Sequence, residues 1–365
     1  MPAPRRGGSA GRAGIGYAAV GRKLLWASLA LAPVVIVLRF ASDVGDVALF
    51  AVAAGALVPL AWLIGEATEH AAHHTGPGVG GFLNATFGNA PELIIALFAV
   101  SDGLTEVVRG SLSGSVVGNL LLVLGFSLAL GGKGEIDRTS SLTSVALVCL
   151  AVLLFLVPAV PAWSGDPERH SLAVATLPVA IVLLLVYVGV TWQALRRHRR
   201  LHVADEPAEM LAWSFRTSLL ALAAATAVTA FVAETLVGSI EQFAESAHLS
   251  DFFVAAVIVA IVGNAAEHGG AVVVAFRGKI KLAAEIALAS SAQVAVFLIP
   301  AVAVLAWAID PLALSFRQVE LGMLGASAVF VALLLAHGRS SRPRGAALIA
   351  AYVGVAVAFY VAGDR

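Results

Sequence analysis

The stretch FLNATFGNAPELIIALFAV (82–100) places an asparagine, a proline and a carboxylate inside an otherwise apolar run. Neither lysine nor arginine occurs in this run to neutralise Glu92. A second stretch, FFVAAVIVAIVGNAAEHGGAVVVAF (252–276), repeats the pattern around Glu267. The phrase Gly-Asn-Ala-x-Glu therefore occurs twice, 175 residues apart, and each copy puts a carboxylate in an apolar setting.

The composition is that of a polytopic membrane protein. Of the 365 residues, 59% are hydrophobic and 13% are charged, and the mean hydropathy is +0.92. Soluble domains are about 25% charged. The formal net charge is zero, which argues against a nucleic-acid partner. The single cysteine, Cys149, leaves no disulfide framework and no cysteine-based metal site, and we expect neither an enzymatic site nor a cofactor.

Apolar runs long enough to cross a bilayer predict the fold class, since a spanning helix needs about 20 residues. We predict an all-α polytopic membrane protein with eleven transmembrane helices, at 24–41, 47–73, 79–101, 107–131, 141–162, 171–195, 213–240, 251–276, 283–308, 317–337 and 345–362. Residues 1–23 are predicted to be a disordered cytosolic N-terminus.

The distribution of basic residues supports this count. With the N-terminus in the cytosol, eighteen lysines and arginines fall on the cytosolic side and five fall outside, among them Arg39 and Arg109. Such an asymmetry is expected of a correctly counted set of spans. The C-terminus is then outside. Acidic residues at predicted outer helix ends, such as Glu106, are expected to reach water.

The spacing of the two motifs predicts an internal repeat of five spans. Because five is odd, the second copy enters the membrane from the opposite side, which is typical of secondary transporters with an ion site near the midplane. The predicted parts are a first helix (24–41), a first repeat (42–195), a cytosolic linker (196–212) and a second repeat (213–365).

The two motif glutamates are the candidate ion ligands. Both lie near the middle of their spans, where an uncompensated carboxylate costs about 2.5 kcal/mol or more. Glycine and Pro91 permit a broken helix, and freed carbonyl, amide and carboxylate oxygens suit Ca²⁺. The predicted metal site comprises Glu92, Glu267, Asn89, Asn264, Gly88 and Gly263.

Other polar residues define a predicted ion pathway around this site. Its members are Glu69, Glu234, Asn119, Ser290, Ser291, Gln293 and His268. A helix-end role is equally compatible with Glu69 and Glu234, and His268 either tunes Glu267 or meets a neighbouring helix. The histidines at the end of the second span (His70, His73, His74) are interpreted as interfacial, because their order is E-H-x-x-H and not that of a metalloprotease.

At these residues the chain resembles the cation/proton exchanger family of the calcium/cation antiporter superfamily. The resemblance rests on GGFLNATFGNAPELIIALFAV (80–100), GSVVGNLLLVLG (114–125), VAETLVGSI (232–240), IVGNAAEHGGAVVVAFRGKIKLA (261–283) and ASSAQVAVFLIP (289–300). It implies eleven helices, inverted halves and Ca²⁺ efflux driven by inward proton flow. It assigns the two central ligands to Glu92 and Glu267, and supporting polar roles to Asn89, Asn264, Ser290, Ser291 and Gln293.

We therefore predict an antiporter that exchanges cytosolic Ca²⁺ for H⁺ in the lipid bilayer of a bacterial inner membrane, and a homo-oligomer is compatible with the sequence. The alternative in the same superfamily is a Na⁺/Ca²⁺ exchanger, which asparagine at both motif positions disfavours. An intramembrane metalloprotease would need a metal triad at depth. A passive cation channel would show conductance without counter-transport.

Overall fold

A computed structural model describes residues 23–41, 44–200 and 213–365. The predicted disordered N-terminus and most of the predicted linker lie outside these ranges. The helices are α1 (Lys23–Phe40), α2 (Asp46–Gly88), α3 (Ala90–Ser101), α4 (Thr105–Gly131), α5 (Arg138–Ala162), α6 (His170–Arg200), α7 (Phe215–Gly238), α8 (Ile240–Ala247), α9 (Asp251–Gly263), α10 (Ala265–Phe276), α11 (Ile280–Ala308), α12 (Gln318–Leu335) and α13 (Arg342–Ala362).

Nine helices in the described ranges are long and apolar enough to cross a membrane. The number rises to ten if α8 and α9, which are bent by 108° relative to each other, count as one span. The prediction of eleven is not reproduced, because both motif stretches are divided at their asparagines. The resulting pieces α3 and α10 have 12 residues each and are too short to cross alone.

Helix α2 is not a straight rod. A Cβ atom added to Gly80 would lie 3.0 Å from both the Cβ and the carbonyl oxygen of Ala72. Residues eight positions apart in a straight helix are separated by about 12 Å along the axis. The chain therefore doubles back between these residues, where the sequence predicts the end of one span (47–73) and the start of the next (79–101).

Helices α2 and α7 pack against each other and run in opposite directions. Phe50, near the start of α2, stacks on Phe243, just beyond the end of α7, with ring centroids 4.1 Å apart. His70, late in α2, stacks on Trp213, just before α7, at 5.0 Å. The start of α2 therefore lies beside the end of α7. The part of α2 around His70 lies beside the start of α7, at the opposite end of the bundle.

Three long helical stretches contain a segment of wider π-helix. These segments are Gly118–Val123 in α4, Val254–Val259 in α9 and Val294–Leu298 in α11. Single π turns inside α-helices occur frequently at functional sites. The first contains Asn119, the third follows Gln293 directly, and the second lies five residues before Asn264.

A short antiparallel ladder is an addition to the predicted all-α fold. β1 (Gly134–Glu135) pairs with β2 (Arg339–Ser340), so the α4–α5 and α12–α13 connections lie together. Beside it, Asp137 caps α5 by accepting the Ser140 N–H at 3.1 Å, and it pairs with Lys281 at 3.2 Å. These contacts hold the pKa of Asp137 below its ordinary value.

Two helical segments extend beyond or lie between the predicted spans. Residues 196–200, predicted to belong to the linker, continue α6 as helix to Arg200. The chain between the predicted spans 213–240 and 251–276 forms the additional helix α8. Its eight residues place an apolar face inward through Ile240 and Ala244, both buried, so the segment packs on the bundle.

Among the charges at the end where α4, α9 and α12 begin, Arg109 and Glu320 are almost completely buried, whereas Glu106, which is expected to reach water, is partly exposed. Arg109 is 1% exposed and pairs with Glu106 and, at 3.8 Å, with Glu320, which is 0% exposed. Arg317 pairs with Glu320 and, at 3.7 Å, with Glu106. We call Glu106, Arg109, Arg317 and Glu320 the charge cluster. Charges this deeply buried persist only when paired, and these are.

The charge cluster connects to the start of α9. The Arg317 guanidinium lies 4.2 Å from the centroid of the Phe252 ring and donates to the Gly363 carbonyl at 2.6 Å. Asp364 accepts the backbone N–H groups of Asp251 and Phe252 at 3.2 and 2.9 Å. The helix that leads into the second motif is thus fixed to α4, to α12 and to the residues after α13.

Large apolar side chains face outward over much of the surface. Leu185 on α6 is 65% exposed, and Phe276 on α10 and Val361 on α13 are each 77% exposed. Water would disfavour such extensive exposure, whereas lipid tails accommodate it. The chain is an integral membrane protein whose helices present apolar side chains to the bilayer.

Candidate functional site

The two motif asparagines break their helices in the same way. Asn89, between α2 and α3, has φ −104° and ψ 19°, and Asn264, between α9 and α10, has φ −88° and ψ 7°. Each asparagine precedes the first residue of a helix, and the motif glutamate occupies the third helical position. Pro91 stands in the first turn of α3, where its missing N–H costs no helical hydrogen bond.

At each break, the C-terminal end of one helix lies next to the N-terminal end of the following helix. The C-terminal end of the preceding helix offers carbonyl oxygens, and the N-terminal end of the following helix favours a carboxylate through its dipole. Glu92 and Glu267 lie in the first turns of α3 and α10. Gly88 and Gly263 are the last residues of the helices before the breaks.

The two motifs meet inside the molecule. A Cβ atom added to Gly263 would lie 3.4 Å from Cγ of Glu92, so the first glutamate packs directly on the second motif. Glu92 is 6% exposed, and its carboxylate interacts electrostatically with that of Glu267. Within the described residues, neither carboxylate forms an ion pair with lysine or arginine.

A chain of hydrogen bonds joins the second motif to α4 and α11. Asn264 donates to Oγ of Ser115 at 2.8 Å and accepts from Nδ2 of Asn119 at 3.4 Å. Asn119 also donates to Oγ of Ser290 at 3.0 Å, and Ser290 donates to Oε2 of Glu267. The predicted residues Asn119, Asn264, Ser290 and Glu267 are therefore brought together in one network.

Acceptor oxygens remain after these hydrogen bonds are formed. Oε2 of Glu92 and Oδ1 of Asn119 are buried and have no hydrogen-bond donor among the described residues. A buried acceptor without a donor is costly unless a proton, a cation or water meets it. Two carboxylates and amide oxygens form a set of hard oxygen ligands of the type that Ca²⁺ prefers.

The remaining predicted residues lie around this centre. Asn89 is 1% exposed at the first break. Ser291 donates to the Val116 carbonyl at 2.9 Å, so it joins α11 to α4 and does not point to a carboxylate. Gln293 is partly buried immediately before the π segment of α11. His268 is partly buried beside Glu267, and its Nε2 has no hydrogen-bond partner in the described ranges.

Glu69 and Glu234 lie away from the centre. Glu69 is exposed late in α2, and Glu234 pairs with Arg39 of α1 at 2.9 Å. The histidines that follow Glu69 behave as interfacial residues: His74 contacts the Trp213 carbonyl at 3.1 Å, and His73 is exposed. No group of three or more histidine, cysteine, aspartate or glutamate side chains that could hold a metal ion occurs in the described ranges.

Sequence reasoning did not identify Ser115, which anchors Asn264. A signal was available, because Ser115 precedes Ser290 by 175 residues, the distance that separates the two motifs. Glu320 was also not predicted. It lies near a predicted helix end, and its buried partner Arg109 comes from a helix that is distant in sequence.

Comparisons with known proteins identify the family. Residues 46–195 and 217–361 match the family model described as sodium/calcium exchanger protein. The Ca(2+)/H(+) antiporter ChaA of Bacillus subtilis is 37% identical over 325 residues, covering 86% of this chain and 92% of the relative. The vacuolar cation/proton exchanger 1a of Oryza sativa is 37% identical over 336 residues, covering 86% and 74%.

A solved structure is similar over nearly its whole length. The structure of native YfkE has a TM-score of 0.78 and 32% sequence identity, covering 93% of this chain and 98% of that chain. The chain therefore belongs to the sodium/calcium exchanger protein family, and its curated relatives place it among the cation/proton exchangers.

Proposed function

We propose that this protein exports Ca²⁺ from the cytosol in exchange for H⁺, through a site that Glu92 and Glu267 form together. The observation that carries the proposal is the convergence of the two motifs, in which Glu92 packs on Gly263, four residues before Glu267. Two adjacent carboxylates without a basic partner need compensation by a divalent cation or by protons. The relatives named Ca(2+)/H(+) antiporter and cation/proton exchanger support the same substrates.

The transport of Ca²⁺ is coupled to the transport of protons because the two compete for the same carboxylates. A carboxyl group in a low-dielectric site binds a proton more readily than in water, so protons compete with Ca²⁺ for the same oxygens near neutral pH. When Ca²⁺ occupies the pair, protons are displaced, and when protons return, Ca²⁺ leaves. Alternating exposure of this one site to the two sides of the membrane then links inward proton flow to outward Ca²⁺ flow.

The neighbouring polar groups hold the carboxylates in place and complete the ligand set. In this proposal Asn89, Asn264 and the residues at the helix breaks, Gly88 and Gly263, supply neutral oxygens. Ser290 orients Glu267, and Asn119 links Ser290 to Asn264. Ser291, Gln293 and His268 belong to the surrounding pathway.

The proposed architecture is a first helix followed by two inverted repeats of five spans, at 42–195 and 213–365, joined by the linker 196–212. The family model matches the chain in two segments of corresponding position. The similar backbone at Asn89 and Asn264, and the antiparallel packing of α2 and α7, also support this arrangement. The excess of basic residues on one side supports an N-terminus in the cytosol, and the proposed location is a bacterial inner membrane.

A Na⁺/Ca²⁺ exchanger remains the alternative within the family. Asparagine stands at both motif positions where serine and threonine hydroxyls would suit Na⁺, and this favours protons as the coupling ion. An intramembrane metalloprotease has less support, because the histidines lie at a helix end away from Glu92 and Glu267.

Uptake of ⁴⁵Ca²⁺ into everted membrane vesicles separates these alternatives. An acidic lumen should drive uptake, and an imposed Na⁺ gradient at equal pH should drive none above the background of vesicles lacking the protein. Uptake driven equally well by Na⁺ would assign the protein to Na⁺/Ca²⁺ exchange. Conductance without counter-transport would instead identify a channel.

A further inference from the structure

The antiparallel helices α2 and α7 carry one glutamate each near opposite ends of the bundle. Glu69 precedes the His70 ring that stacks on Trp213, at the start of α7. Glu234 lies near the other end of α7, close to where Phe243 stacks on Phe50. The segment ATEHA (67–71), which contains Glu69, resembles VAETL (232–236), which contains Glu234, so similar surroundings would be expected.

The surroundings are not equivalent. Arg39 donates to Oε1 of Glu234 at 2.9 Å and to the Thr235 hydroxyl at 2.8 Å. Its guanidinium also lies 5.2 Å from the centroid of the Phe231 ring. Glu69 is exposed and forms no ion pair within the described part of the chain. One carboxylate is thus neutralised and its counterpart is not.

The neutralising arginine comes from outside the predicted repeat. Arg39 belongs to α1, which precedes both repeats in the proposed architecture. Three contacts fix its guanidinium, to a carboxylate, a hydroxyl and an aromatic ring, which is more than an incidental surface pair forms. Helix α1 therefore introduces a charge difference between the two ends of an otherwise symmetric helix pair.

We propose that Arg39 lowers the Ca²⁺ affinity of the extracellular mouth by neutralising Glu234, while uncompensated Glu69 keeps the cytosolic mouth attractive to Ca²⁺. This inference rests on the proposed function and orientation. An exporter must release Ca²⁺ toward the side where Ca²⁺ is abundant, and a free carboxylate at that mouth would favour rebinding. Arg39 therefore favours outward over inward transport of Ca²⁺.

The test measures the KM for Ca²⁺ separately at each face. Everted vesicles expose the cytosolic face and right-side-out vesicles the extracellular face, and an acid-loaded lumen drives uptake in both. In Arg39→Gln the extracellular KM should fall about four- to sixfold at low ionic strength and the cytosolic KM should change by less than about twofold, as expected for one charge acting on a divalent ion at about 8–10 Å in a water-like dielectric.

Four further variants define the origin of the effect. Arg39→Lys retains the charge and should keep the extracellular KM near that of wild type. Glu234→Gln leaves Arg39 unpaired and should raise the extracellular KM, and Arg39→Gln in that background should then lower it. Arg169→Gln removes one positive charge from the same face, where Arg169 bonds only backbone carbonyls, and should have little effect on either KM.

An unchanged extracellular KM in Arg39→Gln, or an equal change at both faces, would overturn the inference. The inference would also be overturned if Arg39→Lys changed the extracellular KM as much as Arg39→Gln does. The charge of Arg39 would then not determine the KM, and its contact with Glu234 would serve only to attach α1 to α7. If Arg39→Gln does not insert, an unchanged extracellular KM in Glu234→Gln is equally decisive against it. Absence of proton-driven uptake by the wild-type protein would instead contradict the proposed function itself.

Discussion

The Ser290 side chain contacts both a motif carboxylate and the amide network. Its hydroxyl donates to Glu267 and accepts from Asn119 at 3.0 Å. A hydroxyl so placed orients the carboxylate and stabilises its charged form, which is the form that binds a cation. The neighbouring Ser291 donates only to the Val116 carbonyl. Adjacent serines of α11 therefore have different roles.

We expect Ser290→Ala to raise the KM for Ca²⁺ about tenfold, since a hydrogen bond to a charged group contributes about 1.5–3 kcal/mol. Ser291→Ala is the matched control, and its effect should be smaller because its hydroxyl contacts a backbone carbonyl. Proton-driven ⁴⁵Ca²⁺ uptake over a range of Ca²⁺ concentrations measures both. Equal effects of the two substitutions would contradict the assigned role of Ser290.

Helices α4 and α9 approach so closely that only glycine fits between them. A Cβ atom added to Gly114 would lie 2.0 Å from the Ala256 carbonyl oxygen, and one added to Gly110 would lie 2.6 Å from the Phe252 carbonyl oxygen. Small residues spaced by four positions permit such close helix packing in membranes. This contact holds Ser115 and Asn119 of α4 against Asn264.

Gly114→Ala should therefore separate α4 from α9 and lower the thermal unfolding midpoint in detergent by several degrees, because overpacking costs about 1–3 kcal/mol. Gly118→Ala in the same stretch is the control, since no atom lies within 4 Å of the added Cβ. It should leave the midpoint nearly unchanged. A midpoint that falls equally in both variants would show that helix propensity, and not the α4–α9 contact, is affected.

The charge cluster acts on the scale of the whole molecule because it joins α4, α12, the residues after α13 and the start of α9. Arg109 and Glu320 are almost completely buried, and each has an additional partner of opposite charge. Removing one member leaves a buried charge without full compensation, which costs far more than the loss of an exposed pair.

We expect Glu320→Gln to destabilise the protein by about 3 kcal/mol, visible as a large fall in the thermal unfolding midpoint, since broken buried ion pairs cost about 3–5 kcal/mol. Glu135→Gln makes the same chemical change at an exposed position in β1 and should be nearly neutral. A Glu320→Gln variant as stable as Glu135→Gln would mean that the cluster does not hold these helices together.

Local patterns and the repeat carry much of the fold and the central site. Apolar runs mark the helices, and the recurrence of Gly-Asn-Ala-x-Glu marks the breaks at Asn89 and Asn264 and the convergence of Glu92 with the second motif. The sequence cannot specify contacts between distant helices. The pairing of Arg109 with Glu320, the anchoring of Asn264 by Ser115 and the neutralisation of Glu234 by Arg39 depend on tertiary packing and were not predicted.

The central claim is that Ca²⁺ and protons share the carboxylates of Glu92 and Glu267. The most direct test measures ⁴⁵Ca²⁺ uptake together with proton release from acid-loaded vesicles that contain wild type, Glu92→Gln or Glu267→Gln, normalised to inserted protein. Glutamine keeps the size and one oxygen but cannot titrate, and a divalent ion in a low-dielectric site needs roughly two compensating charges. We expect both fluxes to be abolished together in each variant while the protein remains folded. Near-normal coupled flux in either variant would contradict the shared-carboxylate mechanism.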